Sequence, residues 1–225
     1  MKHILNATAV MTIVTLAVPG SLHAQTPGTR SRPVAPESGP LAMDVAGVRL
    51  GMPVAQAQAA LAGTYRCERP SRTRSFQQLV NVEVERRRGG SSFFGPEGAA
   101  VHELACTGPS GEYLRLFMAQ TPTGTVVDSI DLAIGTERVD PKELVRQVER
   151  KYGRPTEGTA ANGSWCVGRC GFDLTMEPSP RITVRSDAWR FKILGSRGRN
   201  ARLADEAAVA AAAARDAPAA KRGAF

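Results

Sequence analysis

Short segments in which apolar and polar residues alternate, separated by turn residues, fill most of residues 80–194 and most constrain the fold. A period of two puts every second side chain on the same face, which is typical of half-buried strands. Triplets such as Pro109-Ser110-Gly111 separate the segments and predict turns. The predicted strands span residues 80–85, 101–106, 113–118, 125–133, 165–167, 172–176, 181–185 and 189–194.

Two helices are indicated by residues typical of helix ends. The first starts with Pro53, a good first helical residue, and stops at Gly63. The second has Asp140 as N-cap, Pro141 at its first position and Glu143 as a capping-box partner. A helix followed by antiparallel strands thus occurs twice. We predict an α+β fold in which two such units form a helix-on-sheet layer.

The first 24 residues have the pattern of a secretory signal peptide. Lys2 and His3 precede an apolar run over residues 9–18, and cleavage is expected near Ala24. The run is too short to span a bilayer and no second one follows, so no transmembrane segment is expected. We predict a periplasmic or secreted protein.

Composition divides the remaining chain into three parts. Residues 25–40 are rich in Pro, Gly, Ser and Thr and are expected to form a flexible leader. Residues 41–196 are the size of one domain and are expected to hold the core. Residues 197–225 are rich in Ala and Arg. Their only sizeable apolar residues between 202 and 215 are Leu203 and Val209, so we expect a marginal, weakly packed helix or a disordered tail.

An even number of cysteines, four, indicates two disulfides in an exported chain. Three connectivities are possible, and proximity in the chain favours Cys67–Cys106 and Cys166–Cys170. A redox pair is the alternative for the second, but three intervening residues do not match the two of thioredoxin-type motifs. A zinc site needs close-spaced pairs, and only one pair is close, so no metal is expected.

Candidate catalytic residues are few. His102 is the single histidine outside the signal peptide, and Glu83 and Glu85 share one side of the predicted strand 80–85. A hydrogen-bonded, partly buried histidine and a solvated pair of carboxylates are the favoured interpretations. No nucleotide or phosphate-binding motif occurs, so no cofactor is expected. Trp165 and Trp189 fall in apolar strand patterns and are expected in the core.

A long connection over residues 86–100 is the first candidate binding surface, because connections of this length are often functional or disordered. Phe93 and Phe94 can act as a docking knob, helped by three basic residues. These basic residues are Arg86, Arg87 and Arg88. The alternative is that both rings fold back over the sheet. If they are a docking knob, replacing both with serine weakens binding and leaves thermal stability nearly unchanged.

The last predicted strands carry the second candidate surface, here called the basic strip. If their apolar residues Ile182, Val184, Phe191 and Ile193 point inward, five residues point outward. The basic strip consists of Arg181, Thr183, Arg185, Arg190 and Lys192. It can bind an acidic surface, and an ordinary solvated sheet face is the alternative.

The formal charge is +8 and becomes +7 once Lys2 is removed with the signal peptide. Outside the cytoplasm, a basic chain is expected to meet acidic proteins, anionic lipid head groups or cell-wall polymers rather than nucleic acid.

Two stretches resemble a class of small exported bacterial proteins. One is Val48-Arg49-Leu50-Gly51-Met52-Pro53 before an Ala-rich helix, and the other is Lys151-Tyr152-Gly153-Arg154-Pro155 followed by Trp165-Cys166. The class is similar to outer-membrane-assembly lipoproteins of the BamE/SmpA type and to the β-lactamase inhibitor protein. The resemblance implies helices on an antiparallel sheet and binding of proteins rather than catalysis. This chain lacks the lipidated cysteine of the assembly lipoproteins.

We therefore predict an exported, non-enzymatic protein that binds another macromolecule. The partner is an envelope protein, a secreted enzyme that it inhibits, or an acidic surface polymer. The alternative is a small cell-envelope hydrolase that uses His102 or the pair Glu83 and Glu85.

Overall fold

The computed structural model describes residues 39–90, 98–137, 139–167, 170 and 179–217. Within these residues the helices are α1 (Val54–Leu61), α2 (Phe76–Arg87), α3 (Pro141–Tyr152) and α4 (Arg199–Asp216). The strands are β1 (Asp44–Val45), β2 (Val48–Arg49), β3 (Arg66–Cys67), β4 (Ser71–Thr73), β5 (Ala100–Thr107), β6 (Tyr113–Thr121), β7 (Gly124–Gly135), β8 (Glu157–Gly158), β9 (Asn162–Cys166), β10 (Arg181–Ser186) and β11 (Arg190–Ser196).

One large antiparallel sheet organises the described chain. Its order is β3-β5-β6-β7-β11-β10-β9-β8, with β4 also paired to β5, while β1 and β2 form a separate hairpin. The α+β class and the strands predicted after residue 100 are confirmed, except that the predicted strand 172–176 lies outside the described residues. No helix in the described part of the chain is long and apolar enough to cross a membrane.

Most of the core lies between one face of this sheet and two helices. α1 contributes Ala57 and Leu61, and α3 contributes Leu144 and Val148, to the same buried apolar cluster as the sheet. Apolar residues from β5, β6, β7, β10 and β11 complete it on the strand side. Since alternate strand residues face away from this cluster, the other face of the sheet is the one that carries polar and charged residues.

Both predicted disulfides are present. Cys67 on β3 bonds to its register partner Cys106 on β5, and Cys166 bonds to Cys170 at the end of β9. The first closes a loop with a sequence separation of 39 and fastens the short edge strand β3 to the long strand β5. Such a cross-link stabilises the fold mainly by restricting the unfolded chain.

The predicted strand over residues 80–85 is wrong, because this segment is the middle of α2. Ser75 accepts a hydrogen bond from the backbone N–H of Gln78, whose side chain accepts one from the backbone N–H of Ser75. This reciprocal capping box starts a helix. Val80 and Val84, four residues apart, are the buried residues of its inner face.

The predicted second helix, which starts at Pro141, is confirmed as α3, with one correction at its start. Asp140 accepts a hydrogen bond from the backbone N–H of Lys142 and Pro141 is the first residue, as predicted. Glu143 does not complete a capping box. Its carboxylate instead accepts hydrogen bonds from Arg146 and Arg150 further along the same helix.

The helix α4 packs against α2, which differs from the expected weakly packed helix or tail. Ala212, Ala213 and Ala217 are buried in a second, small cluster with Val80 and Val84. Close approach of two helices needs only small side chains at the contact, so alanines suffice. Leu203, one of the two expected anchors, is 46% exposed, whereas Val209, the other, packs partly against this cluster.

Candidate functional site

The basic strip lies on the face of β10 and β11 that is turned away from the main core. Ile182, Val184, Phe191 and Ile193 are buried, as the alternation predicts. Of the basic residues between them, Arg185 and Arg190 are exposed, and Arg181 and Lys192 are half-buried. The inward residues therefore fix the direction of the outward ones, because neighbouring side chains of a strand point to opposite faces.

Two cations of the strip face each other across the strand pair. Arg185 on β10 is the register partner of Lys192 on β11. Within the described residues, neither side chain forms an ion pair with a carboxylate. Like charges directly opposite on adjacent strands destabilise a sheet. The register thus concentrates positive charge at the middle of β10 and β11.

A cleft of about 290 Å³ opens on the same face. Arg181 and Arg185 of the strip line one side, Arg202 of α4 lines another, and Leu194 of β11 contributes an apolar patch. Guanidinium groups bind carboxylates and phosphates through paired hydrogen bonds. Asp131 also lines the cleft, so an acidic group entering it meets one negative wall as well.

The far side of the same sheet face is electrostatically satisfied. Arg115 on β6 donates a hydrogen bond to Glu103 on β5 at 2.7 Å, and this bond raises the pKa of Arg115. The guanidinium carbon of Arg115 also lies 4.8 Å from the centre of the Phe117 ring. The pair Arg115–Glu103 therefore has no net charge, in contrast to Arg185 and Lys192 of the basic strip.

Trp189 is exposed, and the prediction that it lies in the core is wrong. Its side chain is 74% exposed, whereas Trp165, the other predicted core tryptophan, is 3% exposed and contacts the Tyr152 ring. Trp189 lies in the turn between β10 and β11, directly before Arg190 of the strip. Asp187 is the signal that predicts this turn, since aspartate side chains accept hydrogen bonds from backbone N–H groups two residues on.

Hydrogen bonds hold that turn in place. The Asp187 carboxylate accepts from the backbone N–H groups of Trp189 and Arg190 at 2.8 and 2.7 Å, which lowers its pKa. Thr136 at the end of β7 donates its backbone N–H to the carbonyl of Trp189 at 3.2 Å. The exposed indole is therefore presented by an ordered turn.

The predicted docking loop is only partly within the described residues. Phe93 and Phe94 lie outside them, so their docking role stays a prediction. Arg86, Arg87 and Arg88 lie at the end of α2, where each forms an ion pair with Glu83 or Glu85. The distances are 2.6 Å for Arg86–Glu83, 3.0 Å for Arg87–Glu83 and 3.3 Å for Arg88–Glu85.

The residues suggested for hydrolysis lie in surroundings that differ from those expected. Glu83 and Glu85 lie on α2 rather than on a strand, and the hydrogen bonds from Arg86 and Arg87 lower the pKa of Glu83 to about 2. A carboxylate with that pKa is ionised near neutral pH and is unsuited to act as a general acid. His102 is exposed rather than partly buried, and its ring lies 6.4 Å from that of Phe117. Within the described residues, no group of three or more His, Cys, Asp or Glu side chains can hold a metal ion.

In comparisons with known proteins, no family model, curated protein or solved structure matches the chain.

Proposed function

We propose that this protein is an exported binding protein whose basic strip contacts an acidic surface of another macromolecule. The observation that carries the proposal is the register that sets Arg185 opposite Lys192. A cross-strand pair of like charges costs about 0.2–1 kcal/mol of folding free energy. Carboxylates of a partner lying across β10 and β11 offset that cost, since they meet both cations at once.

Trp189 favours a protein as this partner. Tryptophan and arginine are the side chains most often responsible for binding energy at protein interfaces, and Trp189 and Arg190 are neighbours at one end of the strip. The hydrogen bonds of the turn reduce the entropy lost when the indole is buried. An envelope or secreted protein can contact both the cations of the strip and the indole of Trp189. The same holds for an enzyme that is inhibited by this contact. An acidic surface polymer uses mainly the charge.

Two further parts of the proposal concern architecture and location. We infer that two helix-then-strand units form a helix-on-sheet layer. The strands that follow α1 end with β7, and the strands that follow α3 end with β11. The pairing of β7 with β11 supports this arrangement, because it joins the two runs of strands into one sheet. The resemblance to the assembly lipoproteins and the β-lactamase inhibitor protein is part of the same proposal, because it also implies helices packed on an antiparallel sheet. Export, with cleavage near Ala24, is supported by the pattern of the first 24 residues.

The first experiment measures binding of fluorescently labelled poly-L-glutamate by anisotropy. We expect the double variant Arg185→Gln/Lys192→Gln to bind about tenfold or more weakly than the unaltered protein. The matched control Arg86→Gln/Arg88→Gln removes the same charge from α2 and should leave the affinity nearly unchanged. Raising salt from about 50 to about 500 mM should weaken binding, because exposed charges are screened. Equal losses in both double variants would show that only net charge matters.

Trp189→Ser then distinguishes a protein from a polymer or lipid. In crosslinking within the cell envelope, we expect one protein to be captured by the unaltered chain and lost with both Trp189→Ser and the strip variant. Vesicles containing phosphatidylglycerol serve as the comparison. Tight vesicle binding that Trp189→Ser leaves intact, with no protein captured, would contradict a protein partner.

A further inference from the structure

A cavity of about 170 Å³ that is open to solvent on one side lies between the β1–β2 hairpin, α3 and the central strands of the sheet. Six apolar residues that are each at most 7% exposed line its interior. They are Val45, Leu132, Leu144, Val148, Phe191 and Ile193. The cavity is on the core side of the sheet, so it is separate from the basic strip. Closed apolar cavities of about 150 Å³ admit molecules such as benzene, so this pocket is of a size to hold one ring.

A hydrogen-bonded clasp closes one side of this cavity. Lys151 of α3 pairs with the Asp44 carboxylate of β1 at 2.6 Å, and the Tyr152 hydroxyl donates to the Asp44 carbonyl at 2.6 Å. Burial is the largest single effect and acts to raise the pKa of Asp44, but the hydrogen bonds from Lys151 and from the backbone N–H of Gly47, together with the charge of Lys151, lower the pKa overall. The two charges compensate each other, so the rim favours an uncharged molecule over an ion.

The hairpin wall of the cavity contains a backbone conformation that alanine seldom adopts. Ala46 lines the cavity and has a φ of 53°, the only positive φ of a non-glycine residue in the described chain. Gly47 follows with a φ of 81°. A two-residue turn with both φ values positive is usually Asn-Gly, and alanine at its first position is strained. Such strain is commonly found at functional sites.

We propose that this cavity is a binding site for one small, uncharged apolar molecule, about the size of a benzene ring or a short branched hydrocarbon. The size of the cavity sets the upper limit on the ligand. The six buried apolar residues disfavour a polar ligand, because burying a polar group without a hydrogen bond is costly, and the polar residues Gln147, Lys151 and Tyr152 also contribute to the lining. The proposal does not depend on the function of the basic strip.

Toluene is the probe, and methyl NMR spectra of the full chain are the measurement. We expect toluene to shift the methyl signals of Leu132, Leu144, Val148 and Ile193, and to raise the melting temperature. The variant Leu144→Phe fills the cavity and should weaken toluene binding about tenfold or more. Val184→Ala, a core change that does not line the cavity, is the matched control and should keep the affinity.

A second variant keeps the test decisive if Leu144→Phe does not fold. Phe191→Leu enlarges the cavity and should admit naphthalene, which the unaltered protein excludes. Absence of shifts at the solubility limit of toluene would overturn the proposal. So would shifts spread over the whole protein, or equal binding by Leu144→Phe.

Discussion

The arginine run at the end of α2 and the basic strip on β10 and β11 have similar composition but opposite electrostatics. On α2, Glu83 and Glu85 lie three or four residues before the arginines and pair with them. On the sheet, the register sets Arg185 against Lys192 instead. A helix brings residues three and four apart together, whereas a strand pairs with whatever its neighbour presents. Unbalanced charge therefore marks a candidate binding surface more reliably than a run of arginines.

The largest effect should follow from removing the side chain that anchors the strip. Phe191, 1% exposed, lies between Arg190 and Lys192 and points into the core. We expect Phe191→Ala to lower the free energy of unfolding by about 3–5 kcal/mol and to weaken poly-L-glutamate binding as the strand loosens. Val84→Ala at the base of the α2 arginines removes two carbons, so about 1.5 kcal/mol is expected. Denaturant unfolding measures both free energies. A larger loss of stability for Val84→Ala than for Phe191→Ala would show that the small cluster of α2 and α4 contributes more to stability than the main core does at Phe191.

Reversing one charge of the strip should separate stability from binding. Lys192→Glu turns the like-charge pair with Arg185 into an opposite-charge pair, which we expect to stabilise the protein by about 0.2–1 kcal/mol. The same change should abolish poly-L-glutamate binding. Lys142→Glu, an exposed change on α3, is the charge-matched control. A destabilised Lys192→Glu protein would show that the two side chains do not repel each other.

The smallest effect concerns the balance of charge on α2. The pKa of Glu83 is lowered from 4.5 to about 2, so its stabilising pairs are complete above pH 4.5 and are lost as the pH falls to about 2. We expect Glu83→Gln to remove this part of the acid sensitivity and to add weak poly-L-glutamate binding at α2. Unfolding and anisotropy as functions of pH test this. An unchanged acid profile would mean that the pairs do not contribute to stability.

Much of the fold could be predicted because its signals are local. Asp140 and Pro141 start α3, and the alternation of residues 181–185 predicts β10. Cys166 and Cys170 are separated by only three residues, which favours a disulfide between them. The helix α2 was missed although Ser75 and Gln78 carry a capping signature. Its valines at positions 80, 82 and 84 are spaced two apart, which is the period of a strand. The two that are buried, Val80 and Val84, are four apart, which is also the spacing of one face of a helix.

The candidate site was predictable only in part. The outward direction of the basic strip follows from alternation along each strand. The exposed position of Trp189 was missed because its apolar neighbours extend the strand pattern into the turn that Asp187 begins. The packing of α4 was missed because alanines are weak anchors by themselves. They become sufficient when another helix with a fitting surface lies close enough to contact them.

The amino-acid sequence by itself indicated the α+β class, the start of α3, the favoured disulfide pairs and the face on which the strip lies, since each depends on neighbours within a few residues or on a small number of cysteines. Only the tertiary structure decided that Arg185 meets Lys192, that Arg202 of α4 lines the cleft beside them, and that a cavity lies under the β1–β2 hairpin. These features join residues far apart in the chain. Their positions depend on strand register and on packing between elements, and no local pattern encodes either.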